Sequence, residues 1–194
     1  MARKLIEGDV EFTFGDSWIV EKYDDHAETR PVVGVVENRK AVDFVGIAEE
    51  IAFLIEVKDY RGHRIENKPK TNGALVTVIA QKVYDTITGL LLTHRRAPET
   101  QLWRDALGAC RRPGGDIRVV VWLEDDALFR RTEPNRKSAA WIFTAKLKSA
   151  LKWFPGKVLV VNRDFNSGGL PDVIVNNLAG AVGHHKIVAK GSKK

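Results

Sequence analysis

A single cysteine, Cys110, stands in this chain of 194 residues, so no disulfide can close within it. The opening MARKLIEGDVEFTFGD has no apolar run of the length a signal peptide needs. Nowhere does an uninterrupted apolar stretch approach the ~18–20 residues that a membrane-spanning helix requires. There is no internal repeat and no low-complexity linker. The glycine-containing stretches RRPGGD and NSGGLPD lack the GxxxxGK[ST] pattern of a phosphate-cradling loop and read as turns. These absences set the expectation of one cytoplasmic domain over residues 1–194, with a basic tail over about 184–194, HHKIVAKGSKK. His184 and His185 in that tail have no cysteines nearby and read as exposed.

Charge is present but unevenly placed. Residues 1–60 carry 7 Lys/Arg and 14 Asp/Glu, whereas residues 61–194 carry 24 and 11, so a net −7 is followed by a net +13. A basic surface of that size suits a polyanion such as nucleic acid, whose phosphates release counterions on binding. The pairs Arg95-Arg96, Arg111-Arg112, Arg130-Arg131 and Arg136-Lys137 fall at element ends, from which loops can gather them around a cleft. Five tryptophans, Trp18, Trp103, Trp122, Trp141 and Trp153, read mainly as core or interface aromatics, with base stacking the alternative use.

Residues 10–14 read as a strand, and GDSWIVEKYDDHAETR as a helix capped by Asp16 and stopped by Pro31. Residues 31–37, 40–46 and 50–60 are rich in β-branched side chains and separated by short polar breaks, which reads as a meander. Over residues 73–94, Leu75, Ile79, Val83, Ile87 and Leu90 recur at helical spacing. The opposite stripe, Thr77, Gln81, Tyr84, Asp85 and Thr88, holds one charge, fewer than a solvent face usually has. Helices over 99–109 and 137–153 and strands over 117–124 and 157–163 follow. The expected class is α/β (α+β mixed): a central mixed sheet flanked by helices.

The informative stretch is KAVDFVGIAEEIAFLIEVKDYRG, residues 40–62, where charge interrupts runs of Val, Ile, Phe and Leu. Strand alternation puts Glu56 and Lys58 on one face and Phe53, Ile55 and Val57 on the other. Asp43 likewise opposes Val42 and Phe44, so burying both apolar sets on one face leaves three polar groups on the other. A turn centred between Glu49 and Glu50 pairs Asp43 with Glu56 and Val42 with Val57. Paired residues have Cβ atoms ~4.5–5.5 Å apart, close enough for two carboxylates to share a Mg²⁺ or Mn²⁺. Beside them, the Lys58 ammonium suits orienting an attacking water and neutralising a phosphoryl oxygen.

Asp43, twelve intervening residues and then Glu56-Val57-Lys58 resemble the signature of the PD-(D/E)xK nuclease superfamily, which has a restriction-endonuclease-like fold. Residues 16–163 resemble its αβββαβ core. The resemblance implies that Asp43 and Glu56 hold the metal, that Val57 offers its carbonyl as a further ligand, and that Lys58 assists the water. It implies DNA rather than RNA as the substrate. Val42 stands where the motif's name has proline. Gln81 and Tyr84 resemble the Gln and Tyr that follow the lysine strand in exonuclease-like branches, which gives Gln81 a supporting part in catalysis; the alternative is a half-buried helix face bonding to the sheet. Some members add an acidic ligand from the first helix; the expected helix turns Glu21 away from the sheet. The alternative is a catalytically silent nucleic-acid-binding or scaffold subunit, working with a partner protein or as a homodimer.

Overall fold

The computed structural model describes residues 2–24, 40–61, 73–93, 101–112, 116–125, 139–166 and 169–178. In chain order the elements are β1 (Arg3–Glu7), β2 (Val10–Phe14), β3 (Ile19–Lys22), β4 (Phe44–Ala48), β5 (Ile51–Asp59), α1 (Leu75–Thr93), α2 (Gln101–Arg111), β6 (Ile117–Glu124), α3 (Ala139–Ala150), β7 (Lys157–Val161) and β8 (Val173–Asn177). Five strands form a mixed sheet in the order β3-β4-β5-β6-β7. The β3, β4 and β5 strands are an antiparallel meander, and β5, β6 and β7 run parallel. A second, antiparallel sheet has the order β1-β2-β8. The expected mixed α/β class is what the chain adopts.

Three layers result, because both faces of the central sheet are apolar. Val45, Ile47, Ala52, Leu54 and Val121 meet the inward residues of α1, α2 and α3, including Ile79, Val83, Leu102, Ala106, Phe143 and Leu147. On the other face Phe44, Phe53, Ile55, Val57 and Trp122 meet Val10, Phe12, Phe14 and Val175 of the second sheet. The expectation of one core face and one open polar face is therefore corrected. A second sheet and a helical layer each find an apolar surface to cover, and Leu54, like Ile55, has almost no exposure.

The helix expected after Asp16 is also overturned, because residues 19–22 are strand β3, paired along β4 from Ile19↔Ile47 to Lys22↔Phe44. Trp18 and Val20 both enter the core between the sheets, as residues two apart do in extended chain; a helix would turn them ~200° apart. The Trp18 indole N–H donates to the Pro171 carbonyl at 2.7 Å, a partner far along the chain that local capping cues do not register. Residues 31–37 lie outside the described set, and β3 lies beside β4 in the meander.

The two-residue turn from β4 to β5 lies where the sequence placed it. Glu49 and Glu50 both have positive φ, 50° and 63°, as a type I′ hairpin turn requires. The ladder runs from Ala48↔Ile51 to Phe44↔Ile55, which leaves Asp43 and Glu56 just past its last pair. Helix α1 is long and apolar enough over Leu75–Leu92 to cross a membrane by length and composition alone. Its inward side instead covers the sheet, with Ile79 and Val83 fully buried.

Candidate metal centre

Asp43 and Glu56 sit beneath α1, on the face that also carries Val45 and Leu54. Neither is a surface carboxylate: Glu56 is fully buried and Asp43 is 2% exposed. Asp43 Oδ2 accepts a 2.6 Å hydrogen bond from the Val57 amide, which ties the first carboxylate to the strand bearing the second. Lys58 Nζ lies 2.5 Å from Glu56 Oε1 and donates to the Val57 carbonyl at 2.9 Å. The sequence-predicted Asp43, Glu56, Val57 and Lys58 thus converge.

A fifth participant was not foreseen. Lys82, on α1, donates from Nζ to Asp43 Oδ1 at 3.1 Å and to Glu56 Oε2 at 2.8 Å. Its signal was present in the helical pattern. Counting ~100° per residue, Lys82 falls about 20° from Leu75, inside the stripe that faces the sheet. A lysine within an apolar stripe needs a buried partner, and the two carboxylates are that partner.

Gln81 stands differently. It is exposed, and its amide donates to Asp85 Oδ1 at 2.8 Å rather than reaching the carboxylates. Asp85 is buried and accepts from the Lys40 amide through Oδ2 at 3.1 Å, while Thr86 Oγ1 accepts from the Val42 amide at 3.0 Å. Helix α1 therefore grips the chain at residues 40 and 42, just before Asp43, and Gln81 acts on the site at one remove. Tyr84 is exposed and packs edge-on against Trp153. Val42, expected beside Phe44 and opposite Val57, turns into the helical side of the core because β4 begins only at Phe44.

Further acid lies on the other side of Asp43. One carboxylate oxygen from each of Glu7, Asp24 and Asp43 falls within 4.8 Å of the others, although Glu7 also pairs with Lys22 at 3.1 Å. Neither Glu7 nor Asp24 has a sequence signal, since β1 was not expected and Asp24 lay within the supposed helix. Glu21, on β3, pairs with Arg3 at 3.8 Å. Of the basic pairs, Arg112 lies at the β4–β5 turn, 3.5 Å from Glu50 and about 20 Å along β5 from the site, while the other three pairs lie outside the described residues. His184 and His185 also lie outside them. Trp18 and Trp122 are core, whereas Trp141 and Trp153 are exposed.

The electrostatics follow from this crowding. Burial, and then the neighbouring Asp43, push the Glu56 carboxyl above its ordinary pKa, against the pull of Lys58 and Lys82. For Lys82, burial is the largest single influence and lowers the pKa. The Glu56 and Asp43 charges and their hydrogen bonds together outweigh it and leave the ammonium above the usual lysine value. Burial first, and then Glu56, raise the nearby Tyr60 phenol.

The donor set fits a hard divalent cation. Asp43 Oδ1 and Glu56 Oε2 already share one positive centre, the Lys82 ammonium. Glu56 Oε1 is buried, and its contact among the described residues is the ion pair with Lys58. Compared with protein-family models, curated proteins and solved structures, the chain matches none. The functional reading therefore rests on this geometry and on the motif.

Proposed function

We propose that the protein is a divalent-metal-dependent nuclease that hydrolyses phosphodiester bonds, with DNA the favoured substrate. The observation that carries this reading is the convergence of Asp43, Glu56 and Lys58 at the end of the β4–β5 hairpin remote from its turn. Asp43, Glu56 and the Val57 carbonyl would hold Mg²⁺ or Mn²⁺, which supplies Lewis-acid stabilisation of a phosphoryl oxygen. Lys58 keeps its ammonium at the rim of that oxygen set, a quarter exposed, where Nζ can orient a water and counter charge developing on the phosphate. The sheet and the Val57 amide fix both carboxylates, so the pair is organised before substrate arrives. The +13 borne by residues 61–194 supports nucleic acid as the polyanion. A cytoplasmic location completes the proposal.

The test is a cleavage panel of linear, circular, single-stranded and branched DNA plus RNA with Mg²⁺ or Mn²⁺. Cleavage should vanish in Glu56→Gln and fall roughly 10²–10⁴-fold in Lys58→Met. Cleavage of no substrate, or unchanged cleavage in both variants, rejects the reading.

A second reading, a silent nucleic-acid-binding or scaffold subunit acting as a homodimer or with a partner protein, is favoured by one observation. Lys58 and Lys82 neutralise both carboxylates internally. Nucleic-acid binding in Ca²⁺ without cleavage in Mg²⁺ or Mn²⁺ selects it.

A further inference from the structure

We infer that Lys82 is a resident counter-ion that a divalent cation must displace, so that metal entry and withdrawal of its ammonium are one exchange. This rests on the metal-dependent reading above. Lys82 Nζ contacts one oxygen of each carboxylate, Asp43 Oδ1 at 3.1 Å and Glu56 Oε2 at 2.8 Å, the same oxygens that a bridging cation would share. Two positive centres cannot occupy that place together. The carboxylates are the fixed side of the exchange, since Glu56 lies in β5 and Asp43 is tied to the Val57 amide. The ammonium is the movable side, because it ends a flexible four-carbon stem and its side chain keeps 13% exposure. Lys58 contacts neither of those two oxygens: it holds the other Glu56 oxygen and, of the proposed ligands, only the Val57 carbonyl, at the rim.

The exchange has two measurable consequences. Lys82 weakens cation binding, because its own contacts must first be broken. It also stabilises the metal-free fold, because without it Asp43 and Glu56 are left with one ammonium between them.

The experiment is calorimetric titration of the full chain with Mn²⁺, without nucleic acid, in wild type, Lys82→Met and Lys82→Gln, with Asp43→Asn as the control for the metal site. Thermal unfolding in EDTA and in Mn²⁺ accompanies it. The expected result is Mn²⁺ affinity raised at least ~10-fold in both variants, the factor for one lost charge-assisted contact. Their melting temperature should fall in EDTA and recover in Mn²⁺. Lys82→Gln keeps amide donors toward both carboxylates, so it carries the comparison if Lys82→Met does not fold without metal. Equal or weaker Mn²⁺ affinity in the variants overturns the inference, and loss of binding in Asp43→Asn in that same series leaves the metal reading standing. Absence of Mn²⁺ binding in wild type and every variant overturns both. Binding by the variants but not by wild type supports the displacement in its strongest form.

Discussion

The Val57 amide donates a 2.6 Å hydrogen bond to Oδ2 of Asp43, fourteen residues earlier, so a metal-ligand candidate is also part of the backbone pairing. Asp43→Ala should therefore cost about 1–3 kcal/mol of stability by leaving a buried N–H unpaired. Asp43→Asn, whose side-chain oxygen can still accept that bond, should lose less stability and yet be inactive with Mg²⁺. Urea denaturation beside a cleavage assay separates the two effects. Equal stability of the alanine variant and wild type would show that the bond contributes nothing.

Val42, next to Asp43, is tied to α1 through its backbone. Its amide donates to Thr86 Oγ1 at 3.0 Å inside the core, a bond that proline cannot make. Val42→Pro should lose about 1–3 kcal/mol, and Thr86→Val a similar amount, with little further loss when they are combined. Strict additivity in denaturation midpoints would break the link between the two residues.

Glu49 and Glu50 adopt positive φ without the glycine or asparagine that such a turn favours. Replacing them by Asn and Gly should stabilise the protein by roughly 1 kcal/mol, because a left-handed conformation disfavoured by side chains would be relieved. The exposed Glu50–Arg112 pair that disappears is worth less than this. Thermal melting of the double variant gives the answer, and a lowered melting temperature would contradict the strain assignment.

Tyr23 is 1% exposed, and burial raises its phenol pKa well above 10. The folded state thus keeps a proton that the unfolded chain releases. The resulting stability is fully present below about pH 10 and is lost as pH climbs from there toward the folded value. Tyr23→Phe should unfold less readily in alkali, because the variant has no phenol proton to lose. Identical alkaline transitions for both proteins would assign base sensitivity elsewhere.

Much of the site was legible in the sequence because a hairpin is a local object. Alternation and a two-residue turn suffice to place Asp43 against Glu56, and periodicity suffices to find α1 within two residues at each end. The faces were harder. Phe53, Ile55 and Val57 announced one core, but Ala52, Leu54 and Val45 belong to a second, which only the helices above them reveal. β3 reads locally as helix because its partner strand, β4, lies beyond Pro31. β8 pairs with β2 at a separation that no local pattern reports. Lys82 has no local signal beyond its place in the apolar stripe, since its counter-charges, Asp43 and Glu56, come from the hairpin.

The two-residue turn also limits how this chain can vary by insertion. Glu49 and Glu50 fix a pairing in which every strand residue has a set opposite. One added residue would bring Asp43 opposite a side chain of the other face, Ile55 or Val57 in place of Glu56, and Val57 could not offer its amide as before. A spacing between the two carboxylates that lengthens or shortens must therefore do so two residues at a time, or leave the odd residue as a bulge. The twelve-residue interval is thus a matter of parity rather than of reach, and indel tolerance along residues 44–55 should alternate between permitted and forbidden lengths.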